Sequence, residues 1–269
     1  MLPLYPLFIK DPYFSFWAEI KNNRVYAKTW WGEDKNIVGY LRAGKKLYSF
    51  VGVPLYGTPM KVERVDYDAN ATYIDYVADG VKLKVAFVSA LPLGDYEILS
   101  CPVCEFRYKV ELNDYKDVEI FFGFGGNVCA NATCGEFAVR GYSSKRSDGY
   151  SYAFFGKDDQ GVLDNSVDRA GSSWGYYVLS AKNTAYVSDE RLGELLSGCT
   201  NEFSPAEGGK PESGCNKNIV AFEKITNEHP AGIFYAAYDD VIALDYYGEY
   251  LKGYFFKDGR TIFDAIKFY

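Results

Sequence analysis

The stretch "ATYIDYVADGVKLKVAFVSA", residues 71–90, limits the choice of fold more than any other. Asp79-Gly80 is a two-residue turn, because Asp-Gly tolerates the positive φ that a tight hairpin loop demands. After it Val81, Leu83, Val85 and Phe87 alternate with Lys82, Lys84 and Ala86. A period of two puts one set on a buried face and the other in water, so this is a strand and not a helix. The same grammar recurs. "VGYLRAGKKLYSFVG" turns at Gly44, and "CEFRYKVEL" sets Cys104, Phe106, Tyr108 and Val110 against Glu105, Arg107, Lys109 and Glu111. Further strands are expected at "VEIFFGF", "YSYAFFG", "WGYYVLSA", "IVAFEKI", "AGIFYAAYDD" and "VIALDYY". Many short strands separated by Gly, Asn and Asp turns predict an all-β fold, a large antiparallel β-sandwich of the supersandwich kind with one or two short helices.

The helices are expected at "SDERLGELLSG" and at the carboxyl end. In the first, Ser188 or Asp189 caps, Leu192, Leu195 and Leu196 share one side, and Gly198 stops it. In "KDGRTIFDAIKFY", Lys257 to Arg260 read as a turn. Thr261 then caps a helix, Asp264 reaches back to its first amides, and Ile262, Ile266 and Tyr269 share a face. Nine residues are too few for a helix in water, which needs roughly 12 to 15. The segment is therefore expected to depend on something else.

Composition narrows the function classes. Aromatic residues make up 18% of 269 residues, with 25 Tyr and 19 Phe. Such side chains suit pleated, half-buried surfaces, and they also suit a stacking surface for ligands. The net charge is −7, and no run of Lys and Arg exceeds two residues. That argues against nucleic acid, which needs a concentrated basic face. No stretch approaches the roughly 18 apolar residues of a membrane span. The start, "MLPLYPLFIKDPYF", has no basic n-region and does not read as a signal peptide. The expectation is a cytoplasmic protein, or one exported through a segment outside this sequence.

The motifs are weak one by one. "CPVC", Cys101 to Cys104, leads into a strand, where i and i+3 face opposite ways with Cα atoms about 10 Å apart, too far for a disulfide. No second CxxC completes a zinc site, so no metal and no cofactor are expected. Cys199 and Cys215 bracket a Gly- and Pro-rich loop and are candidates for a disulfide, as are Cys129 and Cys134 in "CANATC". "NAT" at Asn70 and Asn131 matches the glycosylation sequon. "GSSWG" has Ser173 in the nucleophile position of G-x-S-x-G, but a strand follows where a helix is needed. Asp189 and the chain's lone histidine, His229, complete a Ser–Asp–His set only formally. "GFGGN" opens no helix, and its glycines read as close backbone approaches. "AYDDVIALDYYGEY" carries Asp239, Asp240, Asp245 and Glu249, either as turn formers or as converging acid–base groups. Trp30 and Trp31 follow "RVYAK". On a continuing strand one ring would face the core and the other would face out.

Taken in order, "DPYFSFW", "TWWG", "IVGYLRAGKKLYSFVG", "DGVKLKVAFVSALPLGDYEILSCPV", "DVEIFFGFGG", "FGKDDQGVLDN", "WGYYVLSA" and "AYDDVIALDYYGEYLKGYFFKDG" resemble the amino-terminal region of the glutaminase A-like family. The resemblance implies a β-sandwich over residues 1–256. It also implies that residues 257–269 are a linker and the first turns of a following helical toroid domain, absent from this sequence. Members of that family are described as acting on L-glutamine. The implied role is a non-catalytic module that packs on the helical catalytic domain of the same parent chain and shapes its site. The rim candidates are Trp30, Trp31, Asp239, Asp240 and Tyr246, facing a small-molecule amide or sugar. The alternative is a carbohydrate-binding module or a glycoside-hydrolase-associated β-sandwich.

Overall fold

The computed structural model describes residues 3–53, 55–113, 116–129, 137–147, 149–163, 171, 173–199 and 212–269. The alternating segments become strands. The first are β1 (Tyr5–Ile9), β2 (Ser15–Lys21), β3 (Arg24–Lys28), β4 (Ile37–Ala43), β5 (Lys46–Val51), β6 (Thr58–Pro59) and β7 (Lys61–Tyr67). Next come β8 (Ala71–Ala78), β9 (Val81–Val88), β10 (Val103–Glu111), β11 (Val118–Gly125), β12 (Ala138–Lys145), β13 (Ser151–Lys157) and β14 (Tyr176–Ala181). The last are β15 (Asn183–Ser188), β16 (Glu212–Ser213), β17 (Lys217–Ile225), β18 (Ala231–Asp239), β19 (Leu244–Tyr246) and β20 (Glu249–Leu251). The helices are α1 (Tyr96–Ser100), α2 (Asp189–Ser197) and α3 (Ile262–Phe268).

The architecture is an all-β sandwich. One sheet has nine strands in the order β16-β12-β13-β14-β18-β10-β9-β8-β7, and the second has six in the order β15-β17-β11-β4-β5-β6. A three-stranded sheet, β1-β2-β3, adds to the core, and among the described residues β19 and β20 pair only with each other. Asp79 and Gly80 take φ of 47° and 83°, as their turn requires. Between the sheets the inward residues interlock. Phe106 of the large sheet stacks on Phe122 of the smaller one at 4.3 Å, 8° from parallel, and Phe8 of β1 meets Phe87 edge-on at 5.4 Å. Much of the aromatic content is therefore core.

Several strands break the alternation, and for β11 and β4 the physical reason is plain. Strand β11 is buried along its whole length, and β4 over its first five residues. Their inward side chains join the main core, while Val38, Tyr40 and Phe121 on the other face are covered by Leu192, Leu195 and Leu196 of α2. The α2 caps are as expected, Ser188 at the start and Gly198 at φ 74° at the end. Helix α1 is additional. The Asp95 carboxylate accepts from the amides of Glu97 and Ile98, but no α1 side chain is buried, so the stretch had no apolar stripe to mark it.

Helix α3 is held by tertiary packing, as so few helical residues require. Ile262, Ala265 and Ile266 pack with Phe255 and Phe256 onto Cys101, Val103, Tyr152, Val178 and Ala237, on the outer face of the large sheet. Thr261 and Asp264 form a reciprocal capping box. The "CPVC" thiols diverge as the strand spacing requires, Cys101 under α3 and Cys104 in the main core, both free. Burial pushes them up to about 11 and about 12, far from a reactive thiolate. Cys129 is a buried free thiol and Cys199 an exposed one. Their candidate partners, Cys134 and the Cys215 side chain, lie outside the described residues, as does the sequon at Asn131. The "GFGGN" glycines mark close approach, since a Cβ on Gly126 would stand 1.9 Å from the carbonyl oxygen of Gly214. Among the described residues no helix is long and apolar enough to cross a membrane.

Candidate functional site

Strand β18 ends at Asp239, and the chain then makes a three-residue turn. The Ile242 amide donates to the Asp240 carbonyl at 2.5 Å across Val241, whose φ is 60°. A β-branched residue in the left-handed region is a true outlier, held only where its surroundings over-determine it. Here three contacts do so. Asp239 Oδ1 accepts from the Val241 amide at 2.9 Å. Trp174, 1% exposed, donates from Nε1 to the Ile242 carbonyl at 3.3 Å. The Tyr238 hydroxyl donates to the Trp174 carbonyl at 2.7 Å. Gly175 lets this brace come close. Its φ is 82°, and a Cβ there would stand 2.5 Å from the Asp239 carbonyl oxygen and 2.6 Å from the Tyr238 hydroxyl.

"GSSWG" is thus a structural brace. Ser173 donates from Oγ to the Gly161 carbonyl at 3.3 Å, and β14 follows it. Asp189 instead accepts from Asn218 at 2.7 Å, and His229 is exposed in a turn, so the three form no triad.

A third carboxylate joins Asp239 and Asp240. Asp11 lies in the loop between β1 and β2, where its Oδ1 accepts from the amides of Tyr13 at 2.7 Å and Phe14 at 2.8 Å. The Tyr13 ring meets Trp174 edge-on at 4.6 Å, which ties this loop to the acidic turn. Burial first, then the negative charges of Asp11 and Asp239, push the Asp240 carboxyl up to about 6. Among the described residues the buried Asp240 Oδ1 has no hydrogen-bond partner. Burial likewise raises Asp11 to about 6 against the pull of its two amide donors, and it raises Asp239 against the Val241 amide and Lys252. A carboxyl near 6 holds its proton in mild acid and can then donate a hydrogen bond. Among the described residues no group of three His, Cys, Asp or Glu side chains is placed to hold a metal ion.

Beyond the turn β19 and β20 form a hairpin exposed on both faces. Its tip is Tyr247-Gly248, at φ 53° and 90°, and Asp245 Oδ1 accepts from the Gly248 amide at 2.7 Å. Tyr247 is 96% exposed, and Leu244, Tyr246, Tyr250, Leu251 and Tyr254 are exposed around it. Tyr246 meets Tyr247 edge-on at 4.9 Å.

Trp30 and Trp31 do not lie on a strand. Strand β3 stops at Lys28, and the two rings meet edge-on at 5.4 Å within a turn instead of facing opposite ways. A bond from the Gly32 amide to the Thr29 carbonyl and the bridge between Lys28 and Asp34 end the strand early. Trp30 is half exposed, and Trp31 donates to Glu33 at 3.2 Å. No hydrogen bond or ring contact among the described residues links either to the carboxylates. They lie at the same end of the three-stranded sheet as Asp11, since Lys28 pairs with Trp17 just after β2 begins. Of the sequence candidates, the fold therefore gathers Asp239 and Asp240, places Tyr246 on the adjoining hairpin and keeps the tryptophans on a separate loop. Sequence reasoning missed Asp11, Trp174 and Tyr247. The available signals were Asp-Pro at a loop start and Tyr-Gly between two short β-rich runs.

The chain matches no curated protein sequence. The acidic turn, its Trp174 brace and the tyrosine hairpin all lie within residues 70–269, which match the model of a domain of unknown function, DUF5127, and the chain belongs to that family.

Proposed function

We propose that this chain is the non-catalytic β-sandwich module of a glutaminase A-like protein, packing on a helical catalytic domain and shaping the rim of its site. The observation that carries this reading is the hairpin of β19 and β20. Among the described residues it pairs with no other strand, and its strand residues are all exposed. An isolated two-stranded hairpin is marginal in water. This one also presents Leu244, Tyr246, Tyr247, Tyr250 and Leu251 to solvent. Exposed apolar clusters of this kind mark interaction sites, and tyrosine is a preferred anchor at interfaces. The acidic turn at the hairpin base then stands at the edge of the docked surface, where Asp240 and Asp239 would face the partner's substrate, an amide or a sugar.

The test measures ammonia release from L-glutamine by this chain and by the longer protein encoded in the same reading frame. The chain alone is expected to be inert. The longer protein is expected to be active and to lose activity when Tyr247→Ala and Tyr250→Ala are combined. Glutamine hydrolysis by the isolated chain, abolished in Asp240→Asn, overturns the reading. So does a reading frame that encodes no helical domain.

A further inference from the structure

The outer face of the large sheet carries a groove of about 470 Å³ across β7, β8, β9 and β10, sharing no residue with the acidic turn or the hairpin. Register builds it from two cross-strand rows. In the first, Arg64 faces Asp75, Asp75 faces Lys84, and Lys84 faces Lys109. In the second, Asp66 faces Tyr73, Tyr73 faces Ala86, and Ala86 faces Arg107. The small Ala86 leaves the hollow, with the Tyr73 ring on one side and the Arg107 guanidinium on the other. The volume falls in the range of about 300–1,000 Å³ typical of small-molecule sites.

Three features give the groove a ligand chemistry. Tyr73 is 43% exposed, and its hydroxyl donates to Asp68 at 3.0 Å, so the ring is held as a flat platform. Lys84 and Lys109 stand directly opposite on neighbouring strands, an arrangement that costs stability unless negative charge lies between them. Glu111 meets this in part, accepting from Lys84 at 2.9 Å, while Lys109 stays 3.7 Å away with no hydrogen bond among the described residues. Arg107 is engaged by Glu105 through Nε, and its terminal amines make no hydrogen bond among the described residues. Asp66 is engaged by the Arg64 guanidinium and the Tyr67 amide. An aromatic platform beside cationic donors with capacity to spare, with the Asp75 carboxylate available to hydroxyl groups, fits a sugar ring that carries an acid.

We propose that this groove binds an acidic saccharide. The sugar's apolar face stacks on Tyr73, its carboxylate meets Arg107, Lys109 and Lys84, and its hydroxyls donate to Asp75.

Titration calorimetry of the whole chain with trigalacturonate and with neutral maltotriose tests this. The expected result is saturable binding of trigalacturonate that weakens with added salt, with maltotriose bound about tenfold more weakly or worse. Tyr73→Ala and Lys109→Glu each reduce affinity by about tenfold, and Ala86→Leu fills the hollow and abolishes binding. Tyr73 and Lys109 are exposed, so their variants keep the fold, and a thermal melt checks it. Absence of saturable binding at millimolar trigalacturonate overturns the proposal. So does equal binding of maltotriose, or affinity unchanged in Tyr73→Ala and Lys109→Glu.

Discussion

The aromatic residues meet two fates. Between the sheets Phe106, Phe122, Phe8 and Phe87 are buried and ring-packed from three sheets. On the hairpin of β19 and β20, Tyr246, Tyr247 and Tyr250 sit on backbone that, among the described residues, joins no other sheet. What separates them is strand context. A ring on one face of a long paired strand has a second sheet to meet, whereas a ring on a three-residue strand has only water. The first set holds the fold together, and the second is free to be used.

The buried set is most exposed to a single change at Phe106. Phe106→Ala removes the ring that stacks across the sheets and should cost about 3–5 kcal/mol in urea unfolding. A loss under about 1 kcal/mol would mean the two sheets are not held together there.

The acidic turn sharpens the contrast through pH. Asp240 has a folded-state pKa raised to about 6, above its ordinary 3.8. Its charge therefore burdens the folded state above pH 6, and the burden fades as pH falls through 6 toward 4. Asp240→Asn should stabilise the chain near pH 7.5 by roughly 2 kcal/mol, allowing for partial solvent screening, and should gain nothing near pH 4. Equal gains at both values would show that the carboxyl is not held in a costly state.

Smaller effects follow. Gly175→Ala forces a side chain against the Asp239 carbonyl at a positive φ, and should lower stability by more than about 1 kcal/mol. Thr261→Ala removes half of the α3 capping box, for about 1 kcal/mol and faster proteolysis at the carboxyl end. Tyr247→Ala should change the stability of this chain by less than about 0.5 kcal/mol, because the ring is almost wholly exposed. A large loss there would place the hairpin with the core residues instead of apart from them.

Much of the fold was legible because local chemistry and tertiary packing agree. The Asp79-Gly80 turn, the alternation in β9 and β10, and the caps Ser188, Gly198 and Thr261 are local signals that the structure keeps. Legibility failed where a short-range pattern gave way to a long-range neighbour. The "RVYAK" alternation was expected to continue through Trp30 and Trp31, but the turn closed by Gly32 and the Lys28–Asp34 bridge ended the strand. Helix α1 buries no side chain and so left no periodic trace. The acidic site was half legible. Asp239 and Asp240 could be suspected from their adjacency. Asp11 lies more than 200 residues away and is joined to them by tertiary contacts alone, Tyr13 on Trp174 and Phe14 on Tyr238 among them.

Strand β11 carries a consequence for how the chain is made. Its eight residues are wholly buried, and its partners are β4, about 80 residues earlier, and β17, about 100 residues later. During synthesis "VEIFFGFG" must wait for residues 217–225 before its second edge is closed. Such a segment, rich in β-formers with one charge and no proline, is ready to join a neighbouring copy in the meantime. Yield from refolding should therefore fall with protein concentration, and chaperones that shield nascent strands should raise soluble expression more than lower temperature alone.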